Sequence, residues 1–378
     1  MPSNSPTYIV ALTSTGHGAL ATVQVNGPDA VALVARFFRP ANGRSIESAS
    51  DRQIIYGKWS TGEGAGEGLV VARLSPTRVE VHCHGGQAAV QNVVDALASA
   101  GGQPLYWRDA LAASQRDRIV AEAQIAMAAA RSERAAIVLL DQFHGALRAE
   151  IDEAYEKLST GRLDAAITQL ETLLDRWTLG EHLVSPWRIV LAGPPNVGKS
   201  SLINALVGYR RTIVFDQPGT TRDVVTATTA INGWPVELAD TAGLRRGGDD
   251  LEKEGGRRAR AILADADVVV LVQDATDPDN EASQRLGAEY PDALVVGNKS
   301  DLISESTDGA RDFLLVSAVT GAGIERLIAE IACRIALDPP SRGSGVPFTK
   351  RQADAISRAM KEVQQGNAEH ALTTLRDI

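Results

Sequence analysis

Short apolar runs separated by glycine-rich turns occupy the first part of the chain. Four of them have β-strand character: Tyr8–Leu12, Ala21–Val25, Gln53–Tyr56 and Leu69–Ala72. Apolar residues at helical spacing occur at about 28–38 and 87–100. This mixture predicts a small α/β domain over residues 1–105.

The next zone is alanine-rich and contains no proline between residues 109 and 182. Its apolar residues recur at spacings of three and four, as in Ile137, Leu140, Phe143, Leu147 and Ile151. We expect two long helices joined near Ser159–Gly161, as the first segment of a helical domain over residues 106–185. This zone shows no candidate catalytic residue.

From Trp187 onward the pattern alternates between strand and helix. Strand candidates are 188–192, 224–231, 235–239, 267–272, 293–296 and 313–316. Helical segments are expected near 200–208, 253–265, 280–289 and 324–337. The alternation predicts a mainly parallel sheet with helices on both faces, over residues 186–338.

A linker rich in proline, glycine and serine follows at Asp338–Pro347. After it, one last helix is expected at about 349–375, packed back on the middle helical zone. Residues 339–378 would then complete the helical domain, with the strand–helix region inserted between its two segments.

Composition narrows the class of protein. The 378 residues are 44% hydrophobic and 22% charged, as in globular proteins of two or three domains. The net charge of -9 argues against a histone-like role. No run of 18 apolar residues and no signal sequence occurs, so we expect a cytoplasmic protein without a membrane segment.

Only two cysteines occur, Cys83 and Cys333, too few for a disulfide framework or a structural zinc cluster. Cys333 lies in an apolar helical pattern, so we expect it to be buried as a small hydrophobic residue.

One motif directly follows the first strand of the alternating region. Gly193–Ser200 reads G-P-P-N-V-G-K-S and fits G-x-x-x-x-G-K-[ST] between a strand and a helix. Its glycines let backbone N–H groups curl around phosphate, and the helix N-terminus adds its positive end. We expect Lys199 to reach the β- and γ-phosphates and Ser200 to bind magnesium. Further nucleotide contacts are expected from Asn196, Val197, Gly198 and Ser201.

Three weaker motifs follow in order. Asp240–Gly243 reads D-T-A-G and ends a strand, where Asp240 would hold the magnesium shell and the Gly243 N–H would sense the γ-phosphate. Asn298–Asp301 reads N-K-S-D and ends a later strand. Ser317 and Ala318 follow the next strand.

These later motifs indicate which base is bound. A carboxylate at Asp301 can accept both N1–H and the exocyclic amine of guanine, a donor pair that adenine lacks. Asn298 and Lys299 belong to the same motif, and the Ser317–Ala318 backbone would contact guanine O6. Four motifs in this order predict a GTP-binding domain.

The segment Asp216–Asp223 lies where a threonine would close over magnesium and the γ-phosphate. We assign that role to Thr221, with Thr220 as the alternative. Leu244 follows Gly243 and can neither orient water nor replace an arginine finger, which is worth roughly 10³–10⁵ in rate. Other groups must therefore orient the water and supply the positive charge.

Together, Asn196, Pro218–Asp223 and Asp240–Arg245 resemble the TrmE/MnmE group of potassium-dependent GTPases. Val79–Gly86 (V-E-V-H-C-H-G-G) and Tyr8–Pro28 resemble that family's N-terminal domain, and Ala121–Ile151 resembles its helical domain. The resemblance covers most of the chain. It implies an α/β fold in which a Ras-like P-loop GTPase domain is inserted in an α-helical domain and preceded by a small α/β domain.

The resemblance also implies a catalytic cation. Asn196 would coordinate potassium where the charge of an arginine finger would otherwise act. Carbonyl groups around Phe215, Gln217 and Thr220 would complete the shell of that ion.

Glu252 falls where the family has a water-positioning glutamate, nine residues after Gly243. On physical grounds alone it is an acidic residue that opens a helix, for which a solvated carboxylate is the alternative interpretation. With Thr221 and Gly243, Glu252 forms the catalytic set that the resemblance implies.

His82 and His84 alternate along a strand and therefore face the same way. Such a pair permits a metal site, although no third ligand is apparent. The resemblance implies instead a polar pair beside a site for a formyl-tetrahydrofolate, in a domain that forms a homodimer.

Two departures from the family bear on function. Family members end in Phe-Cys-x-Gly-Lys, whose cysteine is essential to tRNA modification, whereas this sequence ends at Leu375–Ile378. Gln24 stands where members usually carry arginine. One hypothesis is a GTPase of wobble-uridine tRNA modification that acts with tRNA and an MnmG-type FAD-dependent partner. The other is a diverged GTP-controlled switch or assembly factor, ribosome- or RNA-related, without that activity.

Overall fold

The structure is a computed structural model that describes residues 6–13, 18–62, 66–115, 117–209, 226–240, 260–303, 313–336 and 339–378. The chain divides into two compact units, Met1–Arg116 and Asp117–Ile378. Each unit has its own sheet.

The first unit contains a seven-stranded sheet. Its strands β1 to β7 are Tyr8–Ala11, Leu20–Asn26, Phe38–Pro40, Gln53–Trp59, Glu67–Ser75, Arg78–His84 and Gln103–Pro104. They lie in the order β3-β4-β5-β6-β2-β1-β7, and all neighbours are antiparallel except β1 and β7. The four strands predicted in this zone are confirmed.

One face of this sheet carries the core. Alternate residues of β6, such as Val81 and Cys83, are buried because successive side chains of a strand point to opposite faces. Helices α1 (Ala30–Phe37) and α2 (Gln87–Ser99) pack against the buried face, where the sequence predicted helices. Helix α3 (Trp107–Ser114) follows β7.

The second unit begins with a run of short helices rather than the two long ones expected. Helices α4 to α8 are Arg118–Met127, Glu133–Phe143, Ala146–Ser159, Leu163–Asp175 and Trp177–Glu181. Capping residues explain the breaks. The Ser132 hydroxyl accepts a hydrogen bond from the Ala135 N–H and starts α5. Gly145, with a φ of 97°, separates α5 from α6.

The break at Gly145 also changes which residues form the core. The predicted apolar stripe included Leu140, but Leu139 is fully buried and Leu140 is 38% exposed. Leu147 and Ile151 are buried, as predicted. A stripe counted across the break loses its phase, because the left-handed residue does not continue the rotation of the helix.

A six-stranded sheet follows. Its strands β8 to β13 are Trp187–Ala192, Thr226–Ile231, Trp234–Asp240, Val268–Asp274, Leu294–Asn298 and Leu314–Leu315. They lie in the order β13-β12-β11-β8-β10-β9, and only β9 is antiparallel to its neighbour. Helices α9 (Lys199–Tyr209) and α10 (Glu281–Glu289) lie between strands, and α11 (Ile324–Ile335) follows β13. The prediction of a mainly parallel α/β fold is confirmed.

The chain continues with two helices where one was expected. Helices α12 (Lys350–Gln364) and α13 (Ala368–Arg376) are separated at Gly366, whose φ is 80°. As predicted, they pack on the middle helical zone, α12 on α7 and α13 on α6. A continuous hydrophobic core joins these helices to the six-stranded sheet.

Over the described ranges, no helix is both long enough and apolar enough to cross a membrane.

Candidate nucleotide-binding site

The loop between β8 and α9 needs glycine at two positions. Gly193 and Gly198 have φ values of 151° and 90°. A Cβ on Gly198 would overlap the side-chain amide of Asn298, and one on Gly193 would overlap the Val272 carbonyl. Glycine at both positions lets the loop curl in front of the N-terminus of α9, where an anion binds favourably.

Lys199 is the first residue of α9 and is only 5% exposed. Its Nζ donates hydrogen bonds to the carbonyl oxygens of Gly193 at 3.0 Å and Pro194 at 2.8 Å. Both acceptors are neutral. A phosphate oxygen is a stronger acceptor for the same protons, because it adds a negative charge opposite the ammonium group.

Ser200 and Asp240 bring a hydroxyl and a carboxylate together. Ser200 Oγ donates to Asp240 Oδ2 at 2.5 Å, and Asp240 is buried at the end of β10. Because β10 lies beside β8, Asp240 is in register with Leu191, just before the loop. Mg²⁺ is usually bound through one or two protein oxygens together with phosphates and water. These two side chains fit such a site.

Asn298 joins three segments at the other end of the site. It ends β12 and is buried. Its Nδ2 donates to the Val197 carbonyl at 2.9 Å, and its Oδ1 accepts from the Ala318 N–H at 3.0 Å. One buried amide therefore ties the phosphate loop to β12 and to the segment after β13.

Asp301 is exposed and contacts a buried residue, Ser317. Ser317 Oγ donates to Asp301 Oδ1 at 2.5 Å. A carboxylate that is held in this way at the surface can accept a pair of N–H donors, such as the edge of guanine presents.

Lys299, between these two residues, has a left-handed backbone with a φ of 68°. Its Nζ donates to Oδ2 of Asp274 at 2.6 Å. Asp274 ends β11 and is in register with Asn298, and it is not among the residues predicted from the sequence. A signal was present, because Asp274 is a carboxylate at the end of an apolar strand, and ligands bind at the carboxyl ends of parallel strands.

The remaining predicted residues divide into two groups. Val197 is buried in the loop and Ser201 is exposed on α9. The others lie outside the described residues: Phe215, Gln217, Thr220, Thr221, Gly243 and Glu252.

In the first unit, His82 and Glu80 belong to a polar row on β2 and β6. The His82 Nδ1 atom lies 3.0 Å from Thr22 Oγ1, and its Nε2 lies 3.7 Å from Glu80 Oε2. Gln24 Nε2 donates to Glu80 Oε1 at 3.2 Å. Neither His82 nor His84 belongs to a group of three metal-ligating side chains, and no such group occurs in the described ranges.

Cys333 is exposed, so the expectation that it is buried was wrong. The buried stripe of α11 consists of Ile324, Leu327, Ile331 and Ile335. Position 333 falls beside that stripe, because residues on one face of a helix are three or four apart. Cys83 is buried, and this burial, together with the nearby Glu67 carboxylate, raises the pKa of its thiol.

The fold and the site define a P-loop GTPase. A family model described as "50S ribosome-binding GTPase" matches residues 188–299, and one described as "GTP-binding protein TrmE N-terminus" matches residues 8–112. The chain is 33% identical to the tRNA modification GTPase MnmE of Synechococcus sp. (strain RCC307), with 94% of this chain and 87% of that protein covered. It is also 33% identical to the MnmE of Symbiobacterium thermophilum, with coverage of 96% and 89%.

The chain therefore belongs to the MnmE family of tRNA modification GTPases. It is a GTP-hydrolysing enzyme that binds GTP and GDP and uses Mg²⁺. Among solved structures it is similar to the G domain of the T. maritima FeoB iron transporter, at 30% identity, with 39% of this chain and 98% of that one covered and a TM-score of 0.29.

Proposed function

We propose that this chain is a potassium-dependent GTPase that hydrolyses GTP to GDP and phosphate and acts in the modification of tRNA wobble uridine. One observation carries the proposal. The P-loop and the N-K-S-D segment are linked by a buried hydrogen bond, from Asn298 Nδ2 to the Val197 carbonyl. A phosphate site and a guanine site are therefore held at a fixed separation, as one nucleotide requires.

The base end recognises guanine through Asp301, which accepts the N1–H and the exocyclic amine. Ser317 Oγ fixes the direction of that carboxylate. The Ala318 backbone lies next to it and contacts guanine O6, while Asn298 and Lys299 support the base. An adenine would leave the Asp301 carboxylate without its donor pair, which is a strong basis for discrimination.

The phosphate end binds the β- and γ-phosphates through Lys199 and the loop backbone. Ser200, Asp240 and Thr221 hold Mg²⁺, which neutralises charge that develops on the phosphate oxygens. The hydroxyl and the carboxylate of the first two already lie together. Gly243 senses the γ-phosphate through its N–H.

Asn196 holds potassium, with backbone groups around Phe215, Gln217 and Thr220. The exposed amide of Asn196 on the phosphate loop supplies an oxygen ligand that fits this ion. A bound K⁺ would supply positive charge near the β- and γ-phosphates, a charge that Leu244, the residue after Gly243, cannot supply. Glu252 orients the attacking water.

Four segments of the chain form three domains with different proposed roles. Residues 1–105 form a domain for dimerisation and a formyl-tetrahydrofolate, and the polar row of His82 and Glu80 supports such a site. Residues 106–185 and 339–378 form the helical domain, and 186–338 form the GTPase domain. The partners are tRNA, an MnmG-type FAD-dependent protein and a second copy of this chain.

The decisive test concerns base choice. Asp301→Asn should lower the affinity for GTP by about 10- to 100-fold and should raise the affinity for xanthosine triphosphate, because the amide matches the xanthine edge instead. Competition against a fluorescent guanine nucleotide measures both. Asp292→Asn, at an exposed position before β12, is the matched control and should bind like the wild type. Unchanged GTP binding in Asp301→Asn would remove this residue from the site.

The potassium assignment has its own test. GTP hydrolysis should be much faster in KCl than in NaCl at equal ionic strength. Asn196→Gly should remove most of that difference, because glycine keeps the φ of 64° and loses the amide. Equal rates of the wild type in both salts would contradict the assignment. A nucleoside analysis of tRNA from a deletion strain separates the modification enzyme from the alternative GTP-controlled switch.

A further inference from the structure

Asp274 lies beside the base end of the site and is not used by the function proposed above. Its Oδ2 atom is 2.6 Å from Lys299 Nζ. The side chains of Asp274 and Lys299 are 23% and 32% exposed, so the pair is partly shielded from water. It is a short, charge-assisted hydrogen bond between the ends of two neighbouring strands.

The Asp274 carboxylate is itself held in place. Its Oδ1 accepts hydrogen bonds from Thr276, at 3.0 Å from the N–H and at 2.7 Å from the hydroxyl. The next residue, Ala275, donates its N–H to the Asn298 carbonyl at 2.8 Å. Asp274 is therefore a fixed anchor rather than a mobile surface charge.

The contact with Asp274 restricts the side chain of Lys299. This lysine lies between Asn298 and Asp301, and its flexible stem loses conformational entropy when it is ordered. Its backbone is in the left-handed region, which non-glycine residues rarely adopt and which is typical of functional sites. The ion pair fixes the free end of the side chain while the backbone fixes the other.

We propose that Asp274 is a positioning residue for guanine-nucleotide binding, acting through Lys299. It orders the lysine before the nucleotide arrives, so that less conformational freedom is lost on binding. The inference rests on the proposed function, because Lys299 belongs to the proposed base end. Asp274 itself touches no nucleotide.

A double-mutant cycle tests this inference. The dissociation constant of a fluorescent GDP is measured for the wild type, Asp274→Ala, Lys299→Ala and the double variant. We expect each single variant to bind about tenfold more weakly, and the double variant to bind no more weakly than Lys299→Ala alone. In GTP turnover, Asp274→Ala should raise KM and leave kcat near the wild-type value.

Two further variants keep the result interpretable. Asp274→Asn has the same shape and retains an acceptor for Thr276, so it separates loss of charge from loss of fold. Glu281→Ala removes the ion pair with Arg285 on α10, whose side chains are 84% and 80% exposed, and should bind GDP like the wild type.

Additive effects of Asp274→Ala and Lys299→Ala would overturn the inference, because Asp274 would then act by another route. Wild-type affinity in Asp274→Ala and Asp274→Asn, or in Lys299→Ala, would overturn it as well. These outcomes leave GTP binding by the wild type intact. Failure of the wild type itself to bind GDP would instead contradict the proposed function, and the inference with it.

Discussion

The two ends of the nucleotide site are built differently. At the base end, Asn298 and Ser317 are buried, and they bond to groups of the fold itself, the Val197 carbonyl, the Ala318 N–H and the Asp301 carboxylate. At the phosphate end, the Lys199 ammonium bonds to neutral carbonyls of its own loop.

This difference separates the stability of the nucleotide-free protein from its affinity for the nucleotide. The base-end contacts hold three chain segments together, so they contribute to the stability of the protein without nucleotide. The hydrogen bonds of Lys199 to the Gly193 and Pro194 carbonyls lie within one loop, and a charged phosphate competes well for the same protons. We therefore expect the base end to be preorganised before the nucleotide binds. The phosphate end should contribute to affinity through contacts that form only in the complex.

Lys199→Ala should produce the largest effect on binding. The affinity for GTP should fall by about 100-fold or more, because the charge that faces the phosphates is lost. The melting temperature without nucleotide should change less than in Asn298→Ala, because the hydrogen bonds of Lys199 to Gly193 and Pro194 lie within one loop. Titration with a fluorescent nucleotide and thermal unfolding measure the two quantities.

Lys157→Ala is the matched control for this variant. Lys157 pairs with Glu153 on α6, in the helical zone. The Lys157→Ala protein should bind GTP like the wild type. A Lys199→Ala protein with wild-type affinity would show that the phosphate end does not supply affinity.

Asn298→Ala should act on stability before any nucleotide is present. The buried Val197 carbonyl and Ala318 N–H each lose a partner, at a cost of about 1–3 kcal/mol for an unsatisfied group. The free energy of unfolding from urea titration of the nucleotide-free protein measures this loss. Asn298→Asp retains the acceptor for Ala318 but turns a carboxylate oxygen toward the buried Val197 carbonyl, so it should not restore the lost stability. Equal destabilisation by Lys199→Ala and Asn298→Ala would contradict the claim that the two ends contribute differently to the stability of the nucleotide-free protein.

The sequence was sufficient to predict how the described part of the site assembles. Gly193, Asp240 and Asn298 each lie at or directly after the end of an apolar strand, and the strands alternate with helices. In a parallel sheet the carboxyl ends of such strands meet at one edge, so motifs far apart in the chain come together. The meeting of these motifs at one edge of the sheet follows from that rule.

The helical zones were less predictable, for a physical reason. Apolar spacing shows which residues can share a face, but it does not show where a cap ends one helix and resets the phase. Ser132, Gly145 and Gly366 are such points, and each divides a helix that the spacing alone would continue. The contact of Asp274 with Lys299 was missed because it depends on strand register, which sequence spacing does not give.

Acidification should weaken the base end. Burial opposes ionisation of Asp274, but the hydrogen bonds from Lys299 and Thr276 outweigh it and hold the pKa of this carboxyl below its ordinary value. A lowered pKa in the folded state means that the ionised group stabilises the fold above the ordinary pKa, about 3.9, and that this contribution is lost as the pH falls through the folded value.

The measurement is the difference in unfolding free energy between the wild type and Asp274→Asn. We expect a difference of about 1 kcal/mol at neutral pH, reduced because the pair is partly exposed to solvent. It should shrink below about pH 4, as the wild-type carboxyl becomes protonated. A difference that stays constant down to pH 2 would show that the charge of Asp274 does not stabilise the base end.

The smallest effect is expected from Cys333→Ser, which lies in neither end of the site. Cys333 is exposed and Cys83 is buried. Burial and Glu67 raise the pKa of the Cys83 thiol, so it yields little of the reactive thiolate, whereas Cys333 is accessible to solvent. An aromatic disulfide reagent should therefore modify Cys333 rapidly in the folded protein and Cys83 only after unfolding. Because neither end of the site uses sulfur, GTP hydrolysis by Cys333→Ser should match the wild-type rate. Loss of hydrolysis in that variant would place part of the catalytic machinery on α11, away from both ends, and the division of the site into a base end and a phosphate end would then be incomplete.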